Sequence, residues 1–215
     1  MHSETNQPIE LSYSAEPEKV SADPDRALVA QAQTGDLGAF ETLVARHQKQ
    51  MLNIACRLIG DYDDACEVTQ DAFVSAYKHI KTFRSQAKFS TWLTSITLNL
   101  SRNRLKQLKS RQSHTPVSLD DPIKTDNGQM VMDPASKEPN VLDQLVKRDV
   151  RNQVQQCIKK LGPEFREVIV LRDMQEISYE EIGSLLKMPQ GTVKSRLFRA
   201  REMVKNCLKS ALGEL

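Results

Sequence analysis

Long apolar runs are missing from this sequence. No stretch of its 215 residues approaches the roughly 18 consecutive apolar residues that a membrane-spanning helix needs. The first residues, MHSETNQPIE, also lack the basic, apolar, small-residue succession of a signal peptide. Both absences lead us to expect a cytoplasmic protein with no membrane insertion. Histidine and cysteine are sparse as well. His2, His47, His79 and His114 are scattered, and Cys56, Cys66, Cys157 and Cys207 lie far apart with no CxxC spacing. That pattern offers no metal site and no catalytic triad, so no catalytic residue, cofactor or small-molecule substrate is expected; the four cysteines read as reduced thiols filling core positions. The formal net charge is only +2. Any affinity for a polyanion must therefore come from how charge is distributed along the chain.

What is present is sharpest between Ser178 and Arg201, SYEEIGSLLKMPQGTVKSRLFRAR. Ser178 and Glu181, three apart, form a capping box that satisfies two backbone N–H groups at the start of a helix. Ile182, Leu185 and Leu186 supply its buried stripe, Gly183 permits close approach of a neighbour, and Pro189 with Gly191 interrupts the run. Winding the following segment at about 100° per residue places Val193, Leu197, Ala200 and Val204 on one side. Lys194, Ser195, Phe198 and Arg199 fall nearly opposite, with Arg196 and Arg201 on the flanks. Two short helices, a tight turn and a basic outer face outline a helix-turn-helix that reads duplex DNA. Arginine and lysine suit guanine edges or phosphates, serine suits either, and an aromatic suits a thymine methyl.

Elsewhere the charge is segregated. Residues 1–25 carry six acids against Lys19, with prolines at 8, 17 and 24, and read as a disordered acidic tail. Residues 26–111 show apolar positions at helical spacing and no strand alternation, which suggests four helices in a compact bundle. Within that bundle, Arg84 to Arg111 holds seven basic residues and no acid. Residues 112–143, with prolines at 116, 122, 134 and 139, read as a linker, and residues 144–212 as a second helical domain carrying the helix-turn-helix. The expected fold is all-α, two small helical domains joined by a flexible linker.

Two further clusters stand out in the first domain. The third helix, placed over residues 64–80 with Val68, Ala72, Ala76 and Ile80 as its core stripe, is led by DYDDACEVTQD. Acids at a helix start complement the dipole, but these continue beyond the first turn together with Gln70, which suits a protein partner with a basic surface. A carboxylate active site near Asp63 and Asp64 is the remote rival, for no base or metal ligand accompanies the acids. At the start of the fourth helix, placed over residues 91–109, Phe83, Phe89 and Trp92 precede Asn99, Arg102 and Asn103. Aromatics mixed with amides and bases suit unpaired nucleic acid, which they can stack on and read. The same aromatics also suit a core, and for Trp92, flanked by Leu93 and Ile96, core packing is the stronger reading.

With both ends in view, the chain resembles the bacterial extracytoplasmic-function sigma factors, the minimal two-domain members of the sigma-70 family. The resemblance rests on LVAQAQTGDLGAFETLVARH, on DDACEVTQDAFVSAYKHIKTFRSQAKFSTWLTSITLNLSRNRL and on LGPEFREVIVLRDMQEISYEEIGSLLKMPQGTVKSRLFRAR, in the family's order. It implies that Asp64, Gln70, Asp71 and Phe73 dock on the beta-prime coiled coil of core RNA polymerase. It implies that Phe83, Phe89, Trp92, Asn99, Arg102 and Asn103 capture and read the melted minus-ten element of promoter DNA. Lys194, Ser195, Arg196, Phe198 and Arg199 would read the minus-thirty-five element, and an anti-sigma factor would hold the protein inactive. The chain departs from the family at Cys66, where an acid is common, and in the loop Ser85 to Lys88, which lacks the usual acid or glycine; its acidic extension is also longer. The alternative is a free-standing helix-turn-helix regulator.

Overall fold

The computed structural model describes residues 23–114 and 141–212, and every regular element among them is helical. The first unit contains α1 (Arg26–Gln33), α2 (Leu37–Ile59), α3 (Tyr62–His79) and α4 (Phe89–His114), with a short 3₁₀ turn at Ile80–Thr82. The second contains α5 (Val141–Lys160), α6 (Pro163–Ile169), α7 (Tyr179–Leu186) and α8 (Gln190–Leu212). A π-turn at Val170–Met174 prolongs α6. Helices three and four of the first unit thus begin two residues earlier than the apolar spacing predicted. Most of the expected tail and most of the expected linker lie outside the described residues.

Local chemistry fixes the helix ends. Asp36 caps α2 by accepting the Ala39 N–H at 3.1 Å, and Asp61 caps α3 by accepting the Asp64 N–H at 2.8 Å. Each carboxylate satisfies one of the donors that a first helical turn leaves unpaired. At the far end of α2, Gly60 turns left-handed with φ of +87°. A Cβ there would also lie 2.5 Å from Lys159 Cε of α5, so this position needs glycine for its conformation and for the approach of the second unit. Along α2, Phe40, Leu43, His47, Met51, Ile54 and Leu58 bury one face at helical spacing. Val68, Ala72, Ala76 and Ile80, the stripe expected on the third helix, are buried too, Ala76 and Ile80 in the same cluster and Val68 beside Ala55 in a smaller one. Full burial of each large apolar side chain stabilises by roughly 1.5–3 kcal/mol, which makes this seam the mainstay of the bundle.

The two units share one continuous apolar cluster, in which Phe89, Leu93 and Leu98 join Ile158, Leu161, Val168, Leu171 and Ile182. Its polar edge is stitched by Arg166 of α6. This guanidinium donates to the Leu58 carbonyl at 2.7 Å, to the Ile158 carbonyl at 3.2 Å and to the Leu161 carbonyl at 3.1 Å. One side chain thereby binds carbonyls at the ends of both α2 and α5, where the helix dipoles favour a cation. Arg57 of α2 adds a 3.0 Å bond to Gln155 of α5.

Asp25, the last residue of the expected tail, is only 1 % exposed, with its carboxylate 2.7 Å from His47 Nε2 and paired also with Arg46. A buried anion held by two basic groups belongs to the folded body. The cysteines were read as four reduced thiols, yet Cys157 of α5 and Cys207 of α8 form a disulfide with Cα atoms 5.7 Å apart. Cys56 and Cys66 are free and half-buried, and burial pushes the Cys56 thiol up to about 11.

Candidate nucleic-acid interface

The α7–α8 unit is built as its sequence dictates. Ser178 Oγ accepts the Glu181 N–H while the Glu181 carboxylate accepts the Ser178 N–H, each at 3.2 Å, completing the capping box. The turn itself differs from expectation. Lys187, with φ of +54°, makes the left-handed step, and Gly191 lies within the first turn of α8. Gly183 serves this turn: a Cβ there would meet the Met188 carbonyl oxygen at 2.9 Å, and its own carbonyl accepts the Met188 N–H at 2.9 Å. The glycine therefore admits the turn's own backbone where the sequence reading had a neighbouring helix.

On α8, Val193, Leu197 and Ala200 are buried, and Val204 packs partly against the same core. Lys194, Ser195, Phe198 and Arg199 face outward, and Arg196 is half-buried at their flank. Phe198 is 68 % exposed, an unusual position for a large aromatic without a partner surface. The helix is held in aim from its sides. Arg201 forks onto Asp173 at 2.9 and 2.6 Å. The ring of Tyr179 lies beneath two cations, Arg172 at 4.6 Å and Lys194 at 5.6 Å from its centroid. The sequence reading did not single out Tyr179, Arg172 or Asp173, since their partners lie on another element.

The second surface lies on α4 and the loop before it. Phe83 and Trp92 stack at 4.7 Å, and Phe89 meets both edge-on or tilted, at 6.2 and 5.8 Å. Phe89 is completely buried and anchors the cluster from within. Phe83 and Trp92 are half-buried at the rim, and Asn99 and Asn103 are exposed one turn apart on α4. Arg102 lies between them but is engaged. Its Nε and Nη2 donate to the two oxygens of Glu167 on α6 at 2.6 and 2.7 Å, and this bonding holds the guanidinium pKa above its ordinary value. Lys88 likewise pairs with Glu181 of α7 at 3.2 Å. Carboxylates of the second unit thus occupy two cations of this face.

The acidic helix α3 offers the third surface. Glu67, Gln70 and Asp71 are exposed, and Val74 and Tyr77 continue the same row at helical spacing, 45 % and 50 % exposed. Those two apolar residues were not singled out, although their spacing from Gln70 puts them opposite the core stripe. Phe73 is buried beneath this row. Asp64 is neutralised internally by Arg104 of α4, whose Nε donates to it at 2.6 Å and whose Nη2 also reaches Glu67. Among the described residues no group of histidines, cysteines and acids is arranged to hold a metal, and no helix is long and apolar enough to cross a membrane.

Comparison with known proteins places these surfaces in a family. Residues 43–111 match the family model described as sigma-70 region 2, and residues 151–204 match that of sigma-70 region 4. The chain is 32 % identical to the RNA polymerase sigma-H factor of Pseudomonas aeruginosa, over 91 % of this chain and 99 % of that protein. It is 36 % identical to the ECF RNA polymerase sigma-E factor of Escherichia coli K12, over 85 % of this chain and 93 % of that one. In three dimensions it is similar to CnrH, solved in complex with the cytosolic domain of CnrY. The TM-score is 0.62 at 28 % identity, covering 86 % of this chain and 97 % of that chain. With two helical units in the family's order and likeness running through both, this chain belongs to the extracytoplasmic-function sigma factors of the sigma-70 family.

Proposed function

We propose that this sigma factor directs RNA polymerase to promoters through three surfaces that work only when the polymerase holds them in register. The outer face of α8, with Lys194, Ser195, Phe198 and Arg199 and flanking Arg196, reads the minus-thirty-five element in the major groove. The rim of the aromatic cluster, with Phe83, Trp92, Asn99, Arg102 and Asn103, captures unpaired minus-ten bases while Phe89 supports the cluster from the core. The row Gln70, Asp71, Val74 and Tyr77 docks on the beta-prime coiled coil, with Phe73 beneath it and Asp64 acting through Arg104. The observation that carries this reading is the outward placement of a basic, aromatic-bearing face on a helix whose opposite side buries Val193, Leu197 and Ala200.

Each module alone makes few contacts, so duplex binding by the isolated chain is weak. Core polymerase fixes the spacing of the two modules and makes the second contact intramolecular. Each captured base offsets part of an unstacking cost of a few kcal/mol, so no nucleotide hydrolysis by the chain is required. The place of action is the cytoplasm, with the polymerase. CnrH was solved in complex with the cytosolic domain of CnrY; we infer that this chain also takes a protein partner, an anti-sigma factor as the family resemblance implies.

The test is a footprint on promoter duplex with and without core polymerase. Protection of both elements only when polymerase is present supports the proposal. A strong, sequence-specific footprint by the chain alone overturns it in favour of a free-standing helix-turn-helix regulator.

A further inference from the structure

The loop 84–88, between the 3₁₀ turn and α4, is held at its two ends by Gln33 at the end of α1 and by Asp23 just before α1. At its start, Gln33, the last residue of α1, donates both amide hydrogens inward: Nε2 bonds the Ile80 carbonyl at 2.9 Å and the Phe83 carbonyl at 2.8 Å. At its end, Asp23 Oδ2 accepts the Phe89 N–H at 2.8 Å, satisfying a donor that the first turn of α4 leaves unpaired. Asp23 is itself fixed. Its Oδ1 accepts the Asp25 N–H at 3.0 Å, and the buried Asp25 carboxylate is locked onto His47 and Arg46. The His47 ring in turn lies 5.6 Å from the ring of Phe89. Asp23 and the residues around it thus hold the Phe89 end of the loop, and Gln33 holds the Phe83 end.

The loop needs this support. Ser85 stands at φ of +52°, in the left-handed region that favours glycine. A non-glycine residue held there costs on the order of 1–3 kcal/mol and persists only where its surroundings over-determine it. Within the loop and its stems the described bonds do little to fix Ser85, whereas the Gln33 and Asp23 contacts pin the residues on either side.

We infer that Asp23 and Gln33 are positioning residues for minus-ten recognition: a two-point clamp that fixes the conformation of loop 84–88 and so sets which unpaired bases it accepts. This rests on the proposed minus-ten reading by the aromatic rim, extended here from Phe83 to the loop that joins it to Phe89. The clamp gives the last residues of the acidic extension a part in promoter selection although they need not touch DNA.

The test uses full-length protein assembled with core polymerase and run-off transcription from promoters randomised at both elements. Gln33→Met keeps length and removes both donors; Asp23→Ala removes the acceptors. Each is expected to flatten base preference in the minus-ten element by roughly three- to tenfold, the scale of one or two net hydrogen bonds. Minus-thirty-five preference and polymerase affinity should stay as in wild type. Asp23→Asn, which keeps one acceptor oxygen, should fall between wild type and Asp23→Ala, an ordering that general loss of fold does not produce. Amide exchange at residues 84–89 should quicken in the same order, with α8 unaffected. A sharp minus-ten preference that survives both Gln33→Met and Asp23→Ala refutes the clamp. Absence of any promoter preference in wild-type holoenzyme refutes the functional assignment, and the clamp's role with it.

Discussion

Arg102 of α4 and Glu167 of α6 face each other across the two units, two N–H donors on two carboxylate oxygens at 2.6 and 2.7 Å. The same guanidinium is assigned to the minus-ten strand. A guanidinium forked onto a carboxylate presents little to a phosphate or base, so promoter DNA and Glu167 compete for it. Glu167→Gln, which keeps shape and removes the charge, should weaken docking of the two units by about 1–3 kcal/mol. It should also raise the affinity of the free chain for a single-stranded minus-ten oligonucleotide roughly fivefold or more. Arg102→Gln should bind that oligonucleotide less well than either. Fluorescence anisotropy at several salt concentrations checks both statements; equal affinity of wild type and Glu167→Gln would remove the competition.

The outer face of α8 can be altered without touching the core, because Phe198 is mostly exposed while Leu197 and Ala200 carry the packing. Arg199→Ala should cost about 1–3 kcal/mol of discrimination at one base pair of the minus-thirty-five element. Phe198→Ala should reduce the preference for thymine at its contact. Melting temperature should not change in either case, and a promoter-library profile identical to wild type would take the residue off the reading face.

How far these features were legible in the sequence depends on the range of the interaction. The capping box at Ser178 and Glu181 spans three residues, and the inward stripe of α8 repeats at helical period, so both were readable directly. That the run breaks near Pro189 and Gly191 is readable because those residues break helices by type; that Lys187 takes the left-handed step is not, because the turn closes onto Gly183, a contact set by the fold. Phe89 and Trp92 are three apart and both aromatic, and only the position of α2 decides that the first is buried and the second at the rim. The Arg102–Glu167 and Asp23–Phe89 pairs join residues 65 and 66 positions apart. No local pattern announces such pairs.

Ser101 of α4 is 1 % exposed, and its hydroxyl has no hydrogen-bond partner among the described residues. A buried polar group left unpaired costs about 1–3 kcal/mol. Ser101→Ala should therefore be neutral or stabilise the protein by up to about 1 kcal/mol. Urea denaturation measures this; a loss of stability above that size would show that the hydroxyl has a partner.

The disulfide between Cys157 and Cys207 closes a loop with a sequence separation of 50. In the chain-entropy account a cross-link of that length stabilises by up to about 4 kcal/mol. Reduction, or Cys207→Ser, should lower the stability of the protein by an amount within that bound. Identical denaturation of oxidised and reduced protein would contradict it.

The central claim is that two helical modules, weak as separate DNA binders, become a promoter reader when mounted on polymerase. Its most direct test is run-off transcription by purified core enzyme, with and without this chain, on templates carrying both promoter elements at varied spacing. Specific transcripts are predicted only when the chain is present and only within a narrow range of spacings. Specific initiation that ignores the spacing, or a chain that joins the core enzyme and confers no template preference, would contradict the account.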